Sequence, residues 1–314
     1  MAMVSVEELS EAAFKASVWE EAELAEGARR LLLEERRTGR SKDGLLRVEG
    51  GLVRLPAQGE LIVVGDLHGD FESLAFILED SGFLRRAEAG EEVTILFLGD
   101  YGDRGPHSPE IYHAICRLKV EFAGRVVLLR GNHEPPGDLT PIPFDLPYQL
   151  HEKFGEAWEE AYGRILELHE ALPQAALAEG KYLLLHGGVP SKLKSIEDLA
   201  HAHERHPSES LLEEILWSDP DENLSGVAPS PRGAGLLFGP DVTRRALEVV
   251  GAKTLIRGHE PVGEGVHAGQ GGLTLTLFSR KGPPYFNRYA AYLKVSLEEP
   301  AKNAYQLAQQ AVKF

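Results

Sequence analysis

The run LIVVGDLHGD, residues 61–70, joins four apolar residues to a glycine, a carboxylate, an imidazole and a second glycine. A short apolar run without polar alternation, bounded by glycine, reads as a strand covered on both faces. Gly65 and Gly69 let the chain turn sharply where that strand ends and let the backbone approach a ligand closely. The same phrase recurs as TILFLGDYGDRG at 94–105, VVLLRGNHE at 126–134, YLLLHGG at 182–188 and TLIRGHE at 254–260. Strands are therefore placed at 61–65, 94–99, 126–130, 182–186 and 254–257, each ending in side chains that bind metal ions.

Working outward, helix-periodic stretches fall at about 70–80, 108–121, 148–169, 208–216 and 240–250. Strand and helix alternate, which predicts an α/β fold with a mainly parallel or mixed sheet covered by helices. In open sheets of this kind ligands bind outside the carboxyl ends of the strands, so residues distant in sequence converge there. Two later runs, Leu273–Ser279 and Ala290–Leu297, alternate more and are expected to pair antiparallel. Residues 5 to about 37 space their apolar positions helically among Glu and Arg, as in one or two amphipathic helices packed on the outside. The expected organisation is an N-terminal helical segment over 1–50, a catalytic domain over 51–297 and a tail over 298–314. That tail reads equally as a partner-binding helix or a frayed end. The Pro-rich stretches 135–147 and 220–231 are expected to rim a site.

A net charge of −16, from 49 acidic and 33 basic side chains, disfavours nucleic acid as a partner. The locally basic stretch Arg29–Lys42 carries Leu31, Leu32 and Leu33 and reads as the solvated face of a packed helix. Cys116 is the single cysteine, which excludes an intrachain disulfide and points to a reducing compartment. The first residues lack the pattern of a signal peptide, and no apolar run reaches the roughly 18 residues of a membrane span. The expectation is a soluble cytoplasmic protein without a membrane partner.

One GD or GNH alone is ordinary turn chemistry. Five such clusters at five strand ends argue for a metal centre. Carboxylate, imidazole and amide donors without thiolate suit borderline to hard divalent ions and disfavour a purely structural zinc.

In order and spacing, the set GDLHG, GDYGDRG, LRGNHE, LLHGG, WSDP, FG and RGHE resembles the PPP family of protein serine/threonine phosphatases, within the calcineurin-like metallophosphoesterases, over roughly residues 54–292. The resemblance implies a metallophosphoesterase sandwich, two mixed β-sheets flanked by helices. It implies two divalent metal ions, Mn²⁺ foremost with Fe or Zn as alternatives, about 3.5–4 Å apart. Asp66 and His68 would bind the first ion, Asp100 would bridge, and Asn132, His186 and His259 would complete the second. His133 and Asp103 resemble the proton-donating pair, although Asp103 could instead pair structurally with Arg104. Arg104 and Arg232 resemble the phosphate-binding arginines, with Arg130 and Arg257 as supporting residues behind the ligands. The implied reaction is in-line attack of a metal-bridging hydroxide on a phosphate monoester carried by a phosphorylated protein or a small molecule. Two ions against two carboxylate ligands leave the site positive toward a phosphate dianion despite the acidic whole.

The sequence departs from that pattern in two places. Gly102 stands where the family usually has valine, which is expected to loosen the loop holding Asp103. The family's SAPNYC stretch is replaced by FSRKGPPYFN at 278–287, with no residue matching its tyrosine, so substrate choice is open. The phrase RGPHSPE at 104–110 is reminiscent of diadenosine tetraphosphate hydrolases, which supply the alternative activity. A catalytically silent binding protein on this fold is a third reading, disfavoured because every ligand position is filled. His201, His203 and His206 read as a solvated helix face, His107 as a pocket rim and Trp217 as core.

Overall fold

The strand Glu60–Val64 occupies the middle of a five-stranded mixed sheet ordered Ala311–Lys313, Ala291–Ser296, Glu60–Val64, Val93–Phe97, Val126–Leu128. This computed structural model describes residues 5–314, so the first four residues of the expected N-terminal segment lie outside the described residues. The two faces of the central strand serve two layers. Leu61 and Val63 pack with Leu96, Leu98 and Val127 and reach across to Ala176, Leu184, Ile256 and Leu275 of a second sheet. Ile62 and Val64 join Ile95, Phe97 and Leu128 beneath the helices Phe71–Ser81, Ser108–Glu121 and Trp158–Ala171. Each such fully buried aliphatic side chain contributes about 1.5–3 kcal/mol. Both faces are lost to water, which is why the run shows no polar alternation.

The second sheet is seven-stranded and mixed, ordered Arg47–Glu49, Leu52–Arg54, Ala175–Ala178, Tyr182–Leu185, Thr254–Arg257, Thr274–Leu277, Val266–Gly269. Its outer face, through Leu183, Leu185 and Leu255, carries the helices Leu211–Trp217 and Pro240–Val250. A small three-stranded sheet, Asp219–Pro220, Leu236–Phe238 and Val227–Pro229, lies beyond. The architecture is the expected two-sheet α/β sandwich, and all five sequence-placed strands are present.

The N-terminal helices Val6–Lys15 and Val18–Thr38 each begin with a capping box, Ser5 with Glu8 and Ser17 with Glu20. Buried polar pairs fix the second of them to Ser108–Glu121: Lys119 Nζ lies 2.8 Å from Glu35 and His113 Nδ1 lies 3.1 Å from Glu21. The basic stretch behaves as expected, with Leu32 buried and Arg30 and Arg37 exposed.

Three expectations need correction. The single helix over 148–169 is two, Leu146–Phe154 and Trp158–Ala171, broken where Gly155 takes a φ of 59°. The proposed antiparallel pair does not form, because Thr274–Leu277 belongs to the second sheet and Ala291–Ser296 to the first. Ala291–Ser296 instead lies in full five-residue register against Glu60–Val64, whose N–H and C=O edge it pairs along the whole length. The two runs are hydrogen-bonded at their near ends, where the Ala291 N–H donates to Phe278 O at 3.0 Å, and beyond that they face each other across the core between the sheets. Residues 298–314 are packed rather than frayed: they form the helix Ala304–Ala308 and the edge strand Ala311–Lys313.

Candidate metal centre

The loops after the strands Glu60–Val64, Val93–Phe97, Val126–Leu128, Tyr182–Leu185 and Thr254–Arg257 converge. His68, Asp100, Asp103, Arg104 and His259 all hold positive φ angles, from 44° to 71°. Only Gln270 and Phe286 share that conformation among the other described non-glycine residues. Each such residue costs of order 1 kcal/mol or more and persists only where surrounding structure imposes it. The strain is concentrated at one site. Gly131 is required there for a different reason: a Cβ would lie 2.4 Å from the Asp100 nitrogen.

Two groups of donor atoms, each within 4.8 Å of one another, are His68, Asp100 and His133, and Asp100, His186 and His259. Asp100 belongs to both. His68 Nε2 lies 3.4 Å from Asp100 Oδ2 and 3.7 Å from Asp66 Oδ2. His186 Nε2 lies 3.3 Å from Asp100 Oδ1, 2.9 Å from Asn132 Oδ1 and 3.2 Å from His259 Nδ1. Asn132 Oδ1 is also 2.9 Å from His259 Nδ1. The six residues expected as ligands are thus brought together, all buried.

Their hydrogen bonds test whether cations fit. His68 Nδ1 donates to Gly102 O at 2.9 Å and His186 Nδ1 to Leu98 O at 3.1 Å. Each ring therefore turns its other nitrogen toward carboxylate oxygens. Burial pushes His68 down to about 3, so that nitrogen is a bare lone pair facing an anion, an arrangement a cation satisfies. Asp66 Oδ2 and His259 Nε2 are buried without partners. Burial, and then the Asp100 charge, push Asp66 up to about 6. His186 is raised although burial alone lowers it, because Asp100 lies beside it. Crowded acceptors that take up protons in place of metal are what an oxygen and nitrogen cage for two divalent ions requires.

Beside this cage, His133 Nδ1 lies 2.5 Å from Asp103 Oδ2. Asp103 Oδ1 accepts the N–H groups of Asp145 at 2.6 Å and Leu146 at 2.7 Å, and the Asp103 N–H donates to Ser108 Oγ. Asp103 thus orients His133, and the described residues include no Asp103–Arg104 ion pair. Burial lowers His133, but Asp100 and Asp103 outweigh it and hold the imidazole above its ordinary range. Gly102 does not loosen this loop. A Cβ there would come 3.1 Å from Tyr112 Cε2 and 3.4 Å from Ser108 Cβ, so the space of a larger side chain is already filled.

A cavity of about 690 Å³ opens over the centre, with Arg104 and Arg232 on its walls and Ile142 at its lip. Arg232 Nε is held by Asp219 at 2.6 Å, leaving its terminal nitrogens toward the cavity. Arg257 and Arg130 are saturated elsewhere, Arg257 by Gly187 O, Glu260 and Asp219, and Arg130 by Glu134 O and Glu170. Trp217 is core as expected, yet its ring also lies edge-on to His259 at 6.0 Å and lines the cavity. His107 lines a neighbouring groove. His201 and His206 pair with carboxylates, His203 is half-buried, and none of the three joins a donor group among the described residues.

Sequence reasoning missed three residues. Glu134 accepts the N–H groups of Asp100, Tyr101 and Gly131 and the Tyr112 hydroxyl, which ties the loop of one ligand to that of another. Asp219 bridges Arg232 and Arg257. Tyr285 stacks on His68 at 5.7 Å, beneath the Arg280 guanidinium. The replaced stretch therefore does place a tyrosine over the centre, and only its sequence spacing hid it.

Residues 60–263 match the family described as calcineurin-like phosphoesterase. The chain belongs to the calcineurin-like phosphoesterases. A "Probable serine/threonine-protein phosphatase" of Encephalitozoon cuniculi is 34% identical over 73% of this chain and 48% of its own length. Serine/threonine-protein phosphatase PP1-1 of Saccharomyces cerevisiae is 34% identical over 67% of this chain and 65% of its own. Both relatives are serine/threonine-protein phosphatases by name, the class whose ordered motifs this sequence resembles. The chain spans about half, or less, of the first curated relatives it matches. Among solved structures, a protein serine/threonine phosphatase from Saccharomyces cerevisiae with similarity to human phosphatase PP5 superposes with a TM-score of 0.73. That likeness covers 95% of this chain and 89% of that one at 24% identity, and it is one of fold. Among the described residues no helix is long and apolar enough to cross a membrane.

Proposed function

We propose that this protein is a cytoplasmic, metal-dependent phosphomonoesterase acting on phosphoserine and phosphothreonine in proteins. The observation that carries the proposal is the sharing of Asp100 between two buried donor groups, one of which includes the His133 that pairs with Asp103. Asp66, His68 and Asp100 would hold one cation, and Asp100, Asn132, His186 and His259 the other, with Mn²⁺ as first candidate and Fe or Zn as alternatives. Bound there, two divalent ions supply activated water and neutralise charge on the phosphoryl oxygens. Arg104 and Arg232 grip non-bridging oxygens through their guanidinium forks and align the phosphorus. His133, kept protonated by Asp103, gives its Nε2 proton to the leaving alkoxide, and Asp103 then stabilises the ring as it is reprotonated.

A substrate panel on the Mn²⁺-loaded protein tests this reading: a phosphoserine peptide, a phosphotyrosine peptide, diadenosine tetraphosphate and a bis-aryl phosphodiester. The phosphoserine peptide should give the highest kcat/KM. A preference for the dinucleotide of about tenfold, equal to about 1.4 kcal/mol of transition-state discrimination, would overturn the assignment.

A further inference from the structure

A groove of about 880 Å³ lies away from the candidate metal centre and contains none of its six expected ligands. It lies between Val6–Lys15 and Val18–Thr38 where both pack on Ser108–Glu121. Ala12, Ala16, Leu24, Gly27 and Val120 provide an apolar floor. A Cβ on Gly27 would approach Val120 Cγ2 to 3.3 Å, so the missing side chain keeps that floor deep. Glu8, Glu11, Glu20, Glu23 and Glu26 stand around it against Lys15, Arg30 and Arg117. Those three cations are already paired, with Glu11, Glu26 and Glu121. Five lining glutamates face three lining cations, one of them held by Glu121, and Glu23 enters no ion pair among the described residues, so the groove carries net negative charge.

A second observation is independent of that charge. His113, only 3% exposed, reaches the groove floor, with Nδ1 engaged by Glu21 and Nε2 without any hydrogen-bond partner. Glu21 Oε1 is likewise unpartnered. Buried polar atoms are nearly always satisfied, and an orphan at the base of the groove points to a ligand that hydrogen-bonds there.

We propose that this groove docks a lysine- or arginine-rich segment of a partner protein. The segment's apolar side chains sit on the floor and its cations against Glu23, and against Glu11 and Glu26 in exchange for the exposed Lys15 and Arg30. The apolar floor favours a polypeptide over a free polyamine, whose charges would want carboxylates along its whole length.

Fluorescence anisotropy with a labelled amphipathic lysine–leucine peptide and the full chain tests the proposal. The triple variant Glu11→Gln, Glu23→Gln, Glu26→Gln leaves both helix caps intact and should weaken binding about tenfold or more. Gly27→Leu, which fills the floor without changing charge, should weaken it comparably. A control changing the exposed Glu248, Glu264 and Glu298 to Gln should bind as wild type. Unchanged far-ultraviolet circular dichroism and unchanged nitrophenyl phosphate turnover in all variants show that fold and metal centre are intact, so the result is independent of the catalytic proposal. Equal weakening in the control, full binding by Gly27→Leu, or displacement of the peptide by equimolar spermidine would overturn the docking site.

Discussion

Asp219→Asn asks whether the arginine facing the cavity is aimed or merely present. The Asp219 carboxylate, 5% exposed, holds Arg232 Nε at 2.6 Å and Arg257 Nη2 at 2.8 Å. An asparagine keeps the volume but has one acceptor. The fully buried Arg257 claims it, since an unpaired guanidinium there costs most, and the new NH₂ then faces the Arg232 N–H, donor against donor. Losing a charge-assisted hydrogen bond costs about 1.5–3 kcal/mol when buried. The Arg232 side chain is 34% exposed, and solvent screening reduces this to about 1 kcal/mol, a small fall in Tm. Catalysis should suffer differently. A released Arg232 must be ordered again on each binding event, at about 0.5–1.5 kcal/mol, or roughly two- to tenfold in kcat/KM on a phosphoserine peptide. Removing an anion near the centre works the other way by favouring a phosphate dianion, but that gain does not depend on Arg232. A double-mutant cycle with Arg232→Ala, at 0.15 M salt or above and with metal content measured, separates the two. Asp219→Asn should lower kcat/KM in the wild-type background and leave it unchanged or slightly raised in Arg232→Ala. The same loss in both backgrounds would refute the aiming role.

Further outcomes follow from the same geometry. His133→Asn should lower kcat about 10²–10⁴-fold on a phosphoserine peptide and distinctly less on nitrophenyl phosphate, whose leaving group needs no proton; equal losses with metals intact would remove His133 as the acid. Asp103→Asn should repeat that pattern more mildly, since it weakens the orientation of the imidazolium without deleting it. Asp100→Asn should abolish metal content and activity together, read by elemental analysis, because both donor groups share that carboxylate. In metal-free protein Asp66, ordinarily near 3.8, is raised to about 6, so its contribution is fully present below pH 3.8 and lost as pH rises through 6. Asp66→Asn should therefore remove a fall in chemical-denaturation stability between about pH 4 and 6, and an unchanged slope would show that Asp66 is not proton-linked. Tyr285→Ala should leave bound metal unchanged while altering KM for peptide more than for nitrophenyl phosphate, since the ring stacks beside the cage and lines the cavity.

What could be read in the sequence and what could not divide along a physical line. Leu61 to Val64 announce their strand because both faces are buried, so every residue obeys one rule, and Gly65 with Asp66 marks its end locally. The proposed metal donors are legible for the same reason: each sits within a few residues of a strand end, and the fold gathers strand ends wherever it goes. Tyr285 obeys no local rule. It reaches His68 only because the chain leaves one sheet at Leu277 and enters the other at Ala291, and the alternation of those two runs suggests an antiparallel pair for want of that crossing. Asp219 and Glu134 are ordinary residues whose meaning is the set of partners that tertiary structure brings, Arg257 for one and the Asp100 N–H for the other. Gly102 shows the reverse error. A missing side chain reads as slack, when Tyr112, ten residues on and within the next helix, already fills the volume. Local periodicity and ligand chemistry therefore carry the reaction class, whereas the residues that shape the substrate cavity depend on long-range contacts. A relative that kept all six proposed metal donors but changed Tyr285, Asp219 and the 139–142 lip would be expected to retain phosphoryl chemistry with a different substrate.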